Sequence, residues 1–375
     1  MKTILALILF LLFINSFAQQ SSPYHYKIPS QINDGLKTTT LSDVGIDSTN
    51  VIGMTDKIIK NEYINIHSVL IVRNDKLAYE NYFPGYEDFF YGDSSLVDHH
   101  RDSLHEIRSI TKSIVSACIG IAIAQGEIKS VNETIFQYFP EYSRYNTGMK
   151  QNITIKHLLT MSSGIQWYEG DSGATNQEVT MMHSPNPVEY FLSQPMANPP
   201  GKVWNYNGGC TQTLAAILKK VTGEEIDSFV NKHIFLPLGI TKFKWDKTKT
   251  GFYWCAGGIW LRSRDIAKFG LLYINDGKWN GKAVIPSSWI SESLHYYFKT
   301  TYPETNYGYQ FWGADVKINN ELATLFAGQG NGGQIVLLYP KKKTVIVVTA
   351  GNFYNPPLSW QSYNMIATEI FPAIK

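Results

Sequence analysis

The chain has 375 residues, of which 44% are hydrophobic and 17% are charged, and its formal net charge is +2. This length and apolar content allow a large buried core, in two domains or in one domain with an insertion. Apart from a short run at residues 341–343, lysines and arginines are scattered along the sequence. The basic stripe of a nucleic-acid-binding protein is missing, and we expect no nucleic-acid partner.

The N-terminus has the residue order of a secretory signal. Lys2 supplies a positive charge, residues 4–14 form an apolar run, and residues 16–18 (SFA) offer small side chains at the positions that a signal peptidase reads. The apolar run is short for a membrane span. We therefore predict a signal peptide at residues 1–18, no membrane span after its cleavage, and a periplasmic or secreted mature protein that starts with an irregular extension at residues 19–45.

The first predicted strands form a hairpin. Residues 67–73 and 76–83 alternate and are rich in Val, Ile and Tyr, and an Asn-Asp pair between them is a turn signal. We predict a loop for residues 84–105. From Ser109 onward, apolar residues recur at steps of three and four, which predicts a helix that stops near Gly126.

The middle of the chain, residues 130–250, has the pattern of helical pieces between loops. The clearest helical patterns cover residues 155–161 and 213–221. Residues 166–200 have few periodic apolar positions, and a long loop in a compact domain is often functional. We therefore expect residues 166–200 to be a loop that forms one wall of a pocket.

The last third of the chain returns to apolar, β-branched segments. Strands are predicted at residues 324–327, 334–339 and 344–350, and a terminal helix at residues 359–374. Strands therefore occur early and late, with helices between them. This order predicts an α+β fold, in which an antiparallel β-sheet flanked by helices carries an inserted, mainly helical subdomain at roughly residues 130–250 of a domain that spans 46–375.

Ser109 and Lys112 are the first candidates for chemistry. Residues three apart lie on one face of a helix, so the Lys112 amine can approach the Ser109 hydroxyl. A serine hydroxyl needs a base to become a nucleophile, and a lysine can serve when burial or a neighbouring cation lowers its pKa. Backbone N–H groups at a helix start can also stabilise an oxyanion. The alternative is a helix cap followed by an ordinary exposed lysine.

Two glycine-containing segments supply the other candidates. Tyr206 follows a Pro/Gly-rich turn, and a tyrosine near a cation loses its proton more readily and can act as a base. The alternative is one of the chain's many core tyrosines. Residues 328–334 (GQGNGGQ) lead into a predicted strand that can supply an N–H to an oxyanion, and their glycines let a ligand approach the backbone. The alternative there is a flexible turn.

The sequence gives no sign of a metal or of another cofactor. Cys118, Cys210 and Cys255 are odd in number, so full pairing within the chain is excluded, and a Cys210–Cys255 disulfide stays open. No cysteine–histidine spacing is typical of a metal site. Residues 98–102 (DHHRD) are interpreted as a solvated loop, because adjacent side chains rarely point at one ion.

Together these segments resemble the serine β-lactamase and penicillin-binding-protein superfamily, most closely its class C β-lactamase-related branch, which includes esterases and peptidases. The matching segments are residues 108–113 (RSITKS), the Tyr206 turn, Gly332-Gly333-Gln334 before a strand, and the connecting stretches 153–164 and 256–270. The resemblance covers roughly residues 50–372. Three ordered motifs with these connections are far more specific than any one of them alone.

The resemblance implies a β-lactamase/transpeptidase-like fold and a defined set of site residues. Ser109 would be the acylated nucleophile, Lys112 and Tyr206 would share proton transfer, and the N–H groups of Ser109 and Gln334 would form the oxyanion hole. The expected substrate-binding residues are Asn331, Gly332, Gly333 and Asn207. We expect a small molecule or a short peptide as substrate, and neither a metal nor another cofactor.

Two departures from the family pattern bear on the reaction. The middle motif is Tyr206-Asn207-Gly208 where the family often has Tyr-x-Asn, and the third is Asn331-Gly332-Gly333 where β-lactamases usually have Lys-Thr-Gly. The missing lysine would have attracted the carboxylate of a β-lactam or of a peptide C-terminus. We therefore expect an exported serine hydrolase that cleaves an ester or amide, esterase-like or peptidase-like more than a true β-lactamase.

The alternative function is a non-catalytic cell-wall-binding or sensor module that retains the fold. The intact set of Ser109, Lys112 and Tyr206 favours the enzyme. The sequence does not fix the substrate, although an apolar acyl or ring group would suit aromatic pocket walls. The candidates for such walls are Trp167, Tyr168, Trp260 and Trp312.

Overall fold

The structure, a computed structural model, describes residues 24–88, 94–170 and 175–375. The predicted signal peptide at residues 1–18 and the first residues of the predicted extension lie outside the described residues. No helix within the described ranges is long and apolar enough to cross a membrane.

The described residues contain sixteen strands. In chain order they are β1 Lys37–Thr38, β2 Ile66–Arg73, β3 Lys76–Tyr82, β4 Pro84–Asp88, β5 Ser94–Asp98, β6 His105–Glu106, β7 Lys244–Trp245, β8 Ile259–Leu261, β9 Lys278–Trp279, β10 Lys282–Ala283, β11 Phe298–Lys299, β12 Asn306–Tyr307, β13 Trp312–Ile318, β14 Glu321–Gly330, β15 Gln334–Tyr339 and β16 Thr344–Ala350.

The same residues contain eleven α-helices and several shorter helical turns. The α-helices are α1 Ser48–Ile59, α2 Ile110–Ala124, α3 Ile155–Leu159, α4 Gln177–His183, α5 Pro187–Ser193, α6 Gly208–Thr222, α7 Ile226–Val230, α8 Ser263–Ile274, α9 Ser287–Ser293, α10 Pro356–Ser359 and α11 Gln361–Met365. The 3₁₀ turns are Ser42–Val44, Ile135–Tyr138, Pro140–Tyr145, Gly148–Asn152 and Pro340–Lys342, and the π turns are Asn231–Phe235 and Ile366–Ile370.

Nine strands form one large sheet in the order β1-β3-β2-β16-β15-β14-β13-β12-β11. All neighbours in it are antiparallel except the short edge pair of β1 and β3. Both ends of the chain contribute, because β2 pairs directly with β16. The predicted α+β fold with an antiparallel sheet flanked by helices is confirmed.

Helices cover both faces of this sheet, which explains its uninterrupted apolar strands. On β16, Val345 and Val347 pack into the core that contains α2 and α8, whereas Ile346 and Val348 pack into the core that contains α1 and the C-terminal helices. Successive side chains of a strand point to opposite faces, so a strand buried on both sides has no polar alternation. The sheet is therefore the middle of three layers.

Helices α3–α7 lie between the short strands β6 and β7, within the residues predicted to be a helical subdomain. They share a continuous hydrophobic core with α2 and one face of the sheet, through buried residues such as Leu158, Leu214 and Val336. Strand β6 of the small sheet β6-β8-β7 lies directly before α2 in the chain. This arrangement sets the start of α2 between the helical region and the large sheet.

Two stretches predicted as loops contain regular structure. Residues 84–105 hold the hairpin of β4 and β5, and residues 166–200 hold α4 and α5. Asn176 and Asn186 cap these two helices with their side chains, and Pro187 occupies the first turn of α5. Asparagine caps and an N-terminal proline are start signals for helices too short to show apolar periodicity.

The interpretation of residues 98–102 as a solvated loop is wrong for His99. This side chain is buried and stacks on His67 with ring centroids 4.0 Å apart. His67 in turn is hydrogen-bonded to His105, with Nδ1 and Nε2 separated by 2.9 Å. Burial lowers the pKa of all three imidazoles, that of His99 to about 4 and that of His105 to about 3.

The three cysteines are buried free thiols, so the Cys210–Cys255 disulfide that the sequence left open is not formed. Part of the predicted N-terminal extension is tied to the domain. Lys37–Thr38 is the edge strand β1, and Asp34 pairs with the buried Arg264 at 3.1 Å.

Candidate active site

Ser109 lies at the start of α2, where it opens onto a cavity of about 480 Å³. The residue before it, Arg108, has a φ of +49°, a left-handed conformation that is uncommon for a residue with a side chain. Such strained residues cluster at functional sites. The first N–H groups of a helix have no partner within the helix, so the Ser109 backbone is suited to bind a developing oxyanion.

Lys112 contacts Ser109 as the three-residue spacing predicts. Its Nζ donates to Ser109 Oγ at 2.9 Å and to the Ala256 carbonyl at 2.7 Å, and the side chain is 1% exposed. Burial lowers the Lys112 pKa, but Tyr206 and two nearby glutamates outweigh it and raise the pKa above its ordinary value. The structure therefore does not supply the lowered pKa that would make Lys112 a ready base, because these groups favour the cation.

Tyr206 joins the same cluster. Lys112 Nζ lies 4.9 Å from the centroid of the Tyr206 ring, and Tyr206 lines the cavity beside Ser109. Burial raises the Tyr206 pKa, and Lys112 and a hydrogen bond with Ser109 oppose this only in part. The expectation that a nearby cation would make this tyrosine more acidic overall is wrong. The phenol is neutral at physiological pH, which suits a group that relays a proton.

Two glutamates of the cavity, Glu169 and Glu178, were missed by the sequence reasoning. Glu169 accepts hydrogen bonds from the Gly208 N–H and the Trp167 indole, and Glu178 Oε1 accepts from the Trp254 indole at 2.8 Å. Their carboxyl groups meet beside Gly208, where an added Cβ would lie 3.0 Å from Glu169 and 3.1 Å from Glu178. Neither belongs to a motif, so the sequence carried no signal for them.

The Glu169–Glu178 pair carries less than its full charge at neutral pH. Burial and the charge of Glu178 raise the pKa of Glu169 to about 8, although Lys112 opposes the shift. Two carboxylates this close cannot both ionise easily. The raised pKa favours the protonated form of Glu169 at neutral pH.

The predicted glycine loop faces Ser109 across the cavity. Asn331, Gly333 and Gln334 are among the lining residues. Gly332 and Gly333 have φ values of +89° and +95°, and an added Cβ on either would come within 3.0 Å of a neighbouring side chain. The Gln334 side chain is used internally, since its Oε1 accepts from the Ala350 N–H at 3.1 Å. This leaves its backbone, at the start of β15, to face the cavity.

Asn331 and Asn207 have structural contacts that the sequence did not suggest. Asn331 Oδ1 accepts from the Tyr354 N–H at 2.9 Å, which fixes the loop after β16 against the glycine loop. Asn207 is buried and caps α6, with its Oδ1 accepting from the Cys210 N–H at 3.3 Å. Asn207 and Gly332 are not among the residues that line the cavity, so the structure does not bring these two predicted binding residues to it.

Arg108 and aromatic side chains complete the cavity wall. Arg108 Nε lies 3.0 Å from Glu106 Oε2, and its guanidinium lies 4.4 Å from the Phe353 ring centroid. Burial raises the pKa of Glu106 to about 7, although Arg108 opposes this. The aromatic lining residues are Tyr206, Trp254, Tyr302, Trp312, Tyr354, Trp360 and Tyr363. Of the four aromatic residues proposed from sequence, Trp312 lines the cavity and Trp167, Tyr168 and Trp260 do not.

Known proteins share this fold and parts of this sequence. The chain is 23% identical over 284 residues to the 6-aminohexanoate-dimer hydrolase of Paenarthrobacter ureafaciens. This alignment covers 68% of the chain and 69% of that protein. It is 26% identical over 149 residues to esterase EstB of Burkholderia gladioli, which covers 37% of the chain and 38% of the esterase. The structure of the hydrolase EstCE1 superposes with a TM-score of 0.69 at 15% identity, over 86% of the chain and 98% of EstCE1.

The sequence profile of the beta-lactamase family matches residues 64–359, which include the Ser109, Tyr206 and Gln334 segments. The match spans more than three quarters of the chain and covers both the helical region and most of the large sheet. The cluster of Ser109, Lys112 and Tyr206 lies inside it. The chain therefore belongs to the beta-lactamase family and is a serine hydrolase of that family.

Proposed function

We propose that the protein is an exported hydrolase that cleaves an ester or amide through a Ser109 acyl-enzyme, and that it is esterase-like or peptidase-like more than a true β-lactamase. The observation that carries this proposal is the 2.9 Å contact of Lys112 Nζ with Ser109 Oγ at the wall of a 480 Å³ cavity. A nucleophile needs a base within hydrogen-bond reach, and these two atoms meet that condition.

The cluster can carry out both halves of an acyl transfer. Lys112 must first pass its own proton to the coupled groups around it, Tyr206 or the nearby glutamates, which favour the cation. The neutral amine then takes the Ser109 proton as Oγ attacks the carbonyl carbon, and the backbone N–H groups of Ser109 and Gln334 stabilise the oxyanion. Tyr206 relays that proton to the leaving alcohol or amine as its bond to carbon breaks. Water then attacks the acyl-enzyme, gives its proton to the same groups, and restores the Ser109 hydroxyl.

The charges of the cavity support an ester or a neutral amide over a β-lactam. A β-lactam carries a carboxylate, and Asn331 stands where β-lactamases usually place a lysine. Arg108 also lines the cavity, but it is paired with the buried Glu106. The names of two relatives, an amide hydrolase and an esterase, support the same substrate classes.

Export is proposed from residues 1–18 alone. Cleavage after Ala18 would leave Gln19 as the first residue of the mature protein. N-terminal sequencing of protein recovered from a cell-envelope or culture fraction tests this step. Recovery of the chain with residues 1–18 intact, in the cytoplasmic fraction, would contradict it.

The reaction is tested with purified wild type and Ser109→Ala. We expect the wild type to hydrolyse p-nitrophenyl butyrate and to cleave a chromogenic cephalosporin only a little. Ser109→Ala should lose the ester hydrolysis. Full activity in Ser109→Ala would overturn the assignment of the nucleophile, and fast cephalosporin cleavage would overturn the preference for esters.

Covalent labelling separates the enzyme from a non-catalytic binding module. A fluorophosphonate should label the wild type at Ser109 and leave Ser109→Ala unlabelled, because the reagent reacts with an activated serine. A folded wild-type protein that is neither labelled nor active on any ester would favour the module.

A further inference from the structure

A second cavity, of about 350 Å³, adjoins the one that contains Ser109. It lies between the strands β13, β14 and β15 and the C-terminal helical segment. The two cavities share five lining residues, which are Tyr302, Trp312, Gln329, Trp360 and Tyr363. The second cavity therefore borders the space in front of Ser109 along a shared wall.

A row of aromatic rings runs from the catalytic cluster to this second cavity. The ring centroids of Tyr206 and Trp312 are 5.6 Å apart, and those of Trp312 and Tyr302 are also 5.6 Å apart. The row continues from Tyr302 to Trp360 at 6.5 Å and from Trp360 to Tyr363 at 5.4 Å. An apolar group that leaves Ser109 along this row stays in contact with rings throughout.

The walls of the second cavity are mainly apolar. The residues that line it beyond the shared five are Thr305, Gly313, Ala314, Val316, Leu325, Phe326, Ala327, Leu337, Asn364, Ile366, Ala367 and Phe371. None of the described lining residues is charged, in contrast to the first cavity with Arg108, Glu169 and Glu178. At the junction of the cavities, Tyr302 and Trp360 are each about half exposed. Large exposed apolar surface of this kind marks binding sites.

We propose that the second cavity binds a long apolar arm, an alkyl or arylalkyl chain, of the ester or amide that Ser109 cleaves. The proposal rests on the proposed function, because it places the reacting carbonyl at Ser109. The arm follows the aromatic row past Trp312 and ends between the sheet and the C-terminal helices. The substrate class is therefore an ester or amide with one extended hydrophobic chain, and the polar first cavity holds the reacting group.

Two series of esters test this assignment in the wild-type protein. One series has p-nitrophenyl esters whose acyl chains grow from acetate to dodecanoate, and the other has acetate esters of alcohols of increasing length, all below their aggregation concentrations. Each methylene that enters an apolar site contributes up to about fourfold in kcat/KM. We expect kcat/KM to rise with chain length in one series and then level off. A flat or falling profile in both series would overturn the proposal.

Two variants that narrow the second cavity, with one matched control, test whether the effect of chain length on kcat/KM arises in that cavity. Ala314 and Ala367 line the second cavity but not the first, whereas Ala283 is an exposed alanine of β10 that lines neither. In Ala314→Trp and in Ala367→Trp the ratio of long-chain to acetate kcat/KM should fall at least about tenfold. In Ala283→Trp it should stay at the wild-type value. An unchanged ratio in both cavity variants would overturn the proposal.

The two proposals fail in different ways. If Ser109 is needed for hydrolysis of the acetate ester but chain length has no effect on kcat/KM, the second cavity is not part of the substrate site, while the assignment as a serine hydrolase still holds. If the protein shows neither hydrolysis nor fluorophosphonate labelling, the proposed reaction at Ser109 is itself refuted. Ala367 is exposed on its helical segment, so its variant provides a readout even if Ala314→Trp does not fold.

Discussion

Replacing Gly333 with alanine tests whether the glycine loop sets the position of the Gln334 N–H. Gly333 has a φ of +95°, and an added Cβ would lie 2.7 Å from Oγ of the buried Ser362. The left-handed backbone alone costs roughly 1–2 kcal/mol for a residue with a side chain. Ser362 belongs to α11 in the core, so we expect the loop to move. Loss of one oxyanion donor costs on the order of a hundredfold to a thousandfold in kcat.

Gly126→Ala is the matched control for this prediction. Gly126 has a φ of +80°, and a Cβ there would meet no atom within 4 Å. Both variants carry the same kind of backbone strain, but only Gly333→Ala adds a clash, so its free energy of unfolding in denaturant should fall by more than that of Gly126→Ala. Only Gly333→Ala should lose kcat for p-nitrophenyl butyrate. A folded Gly333→Ala protein with the kcat of Gly126→Ala would refute the reasoning.

Three further predictions concern protons. Lys112→Ala and Tyr206→Phe should each lower kcat for p-nitrophenyl butyrate about a hundredfold or more; losses well below tenfold in both would contradict their roles. The Glu169→Gln side chain cannot ionise, so its profile of kcat/KM against pH should lack the inflection near pH 8 that Glu169 gives the wild type. At about pH 9 the variant should be the faster of the two, because ionised Glu169 favours the Lys112 cation. Superimposable pH profiles would rule this out. The free energy of unfolding should fall as the pH drops below about 6.5 towards 4, because the unfolded chain binds protons at His99 and His105 that the fold excludes. Replacing both histidines with glutamine should reduce this pH dependence in denaturant titrations. An identical pH dependence in the variant and the wild type would contradict the prediction.

Local spacing was enough to predict the contact between Ser109 and Lys112. Ser109 and Lys112 are three residues apart on one helix, and helical geometry alone brings their side chains together. The hairpin of β2 and β3 was predictable for the same reason, since its turn residues Asn74 and Asp75 have φ values of +52° and +62°. Both cases depend on residues that are close in the chain.

The parts that sequence reasoning missed depend on contacts between distant residues. Glu169 and Glu178 lie in a stretch predicted to be a loop. Glu178 reaches the site because α4 packs on α6, and Glu169 because it accepts a hydrogen bond from the Gly208 N–H at the start of α6. His99 is buried against His67 of β2, which is in turn hydrogen-bonded to His105 of β6. The spacing of apolar residues shows which face of a single helix or strand is buried. It carries no information about which polar side chains become enclosed when those elements pack together.

The charge state of the cluster is the part that the family motif leaves undetermined. The motif specifies a lysine three residues after the serine, but the Lys112 pKa depends on Tyr206, Glu178 and Glu169, which oppose the effect of burial. The proton that Ser109 must lose therefore moves within a group of several coupled sites, and the rate at a given pH reports that group as a whole.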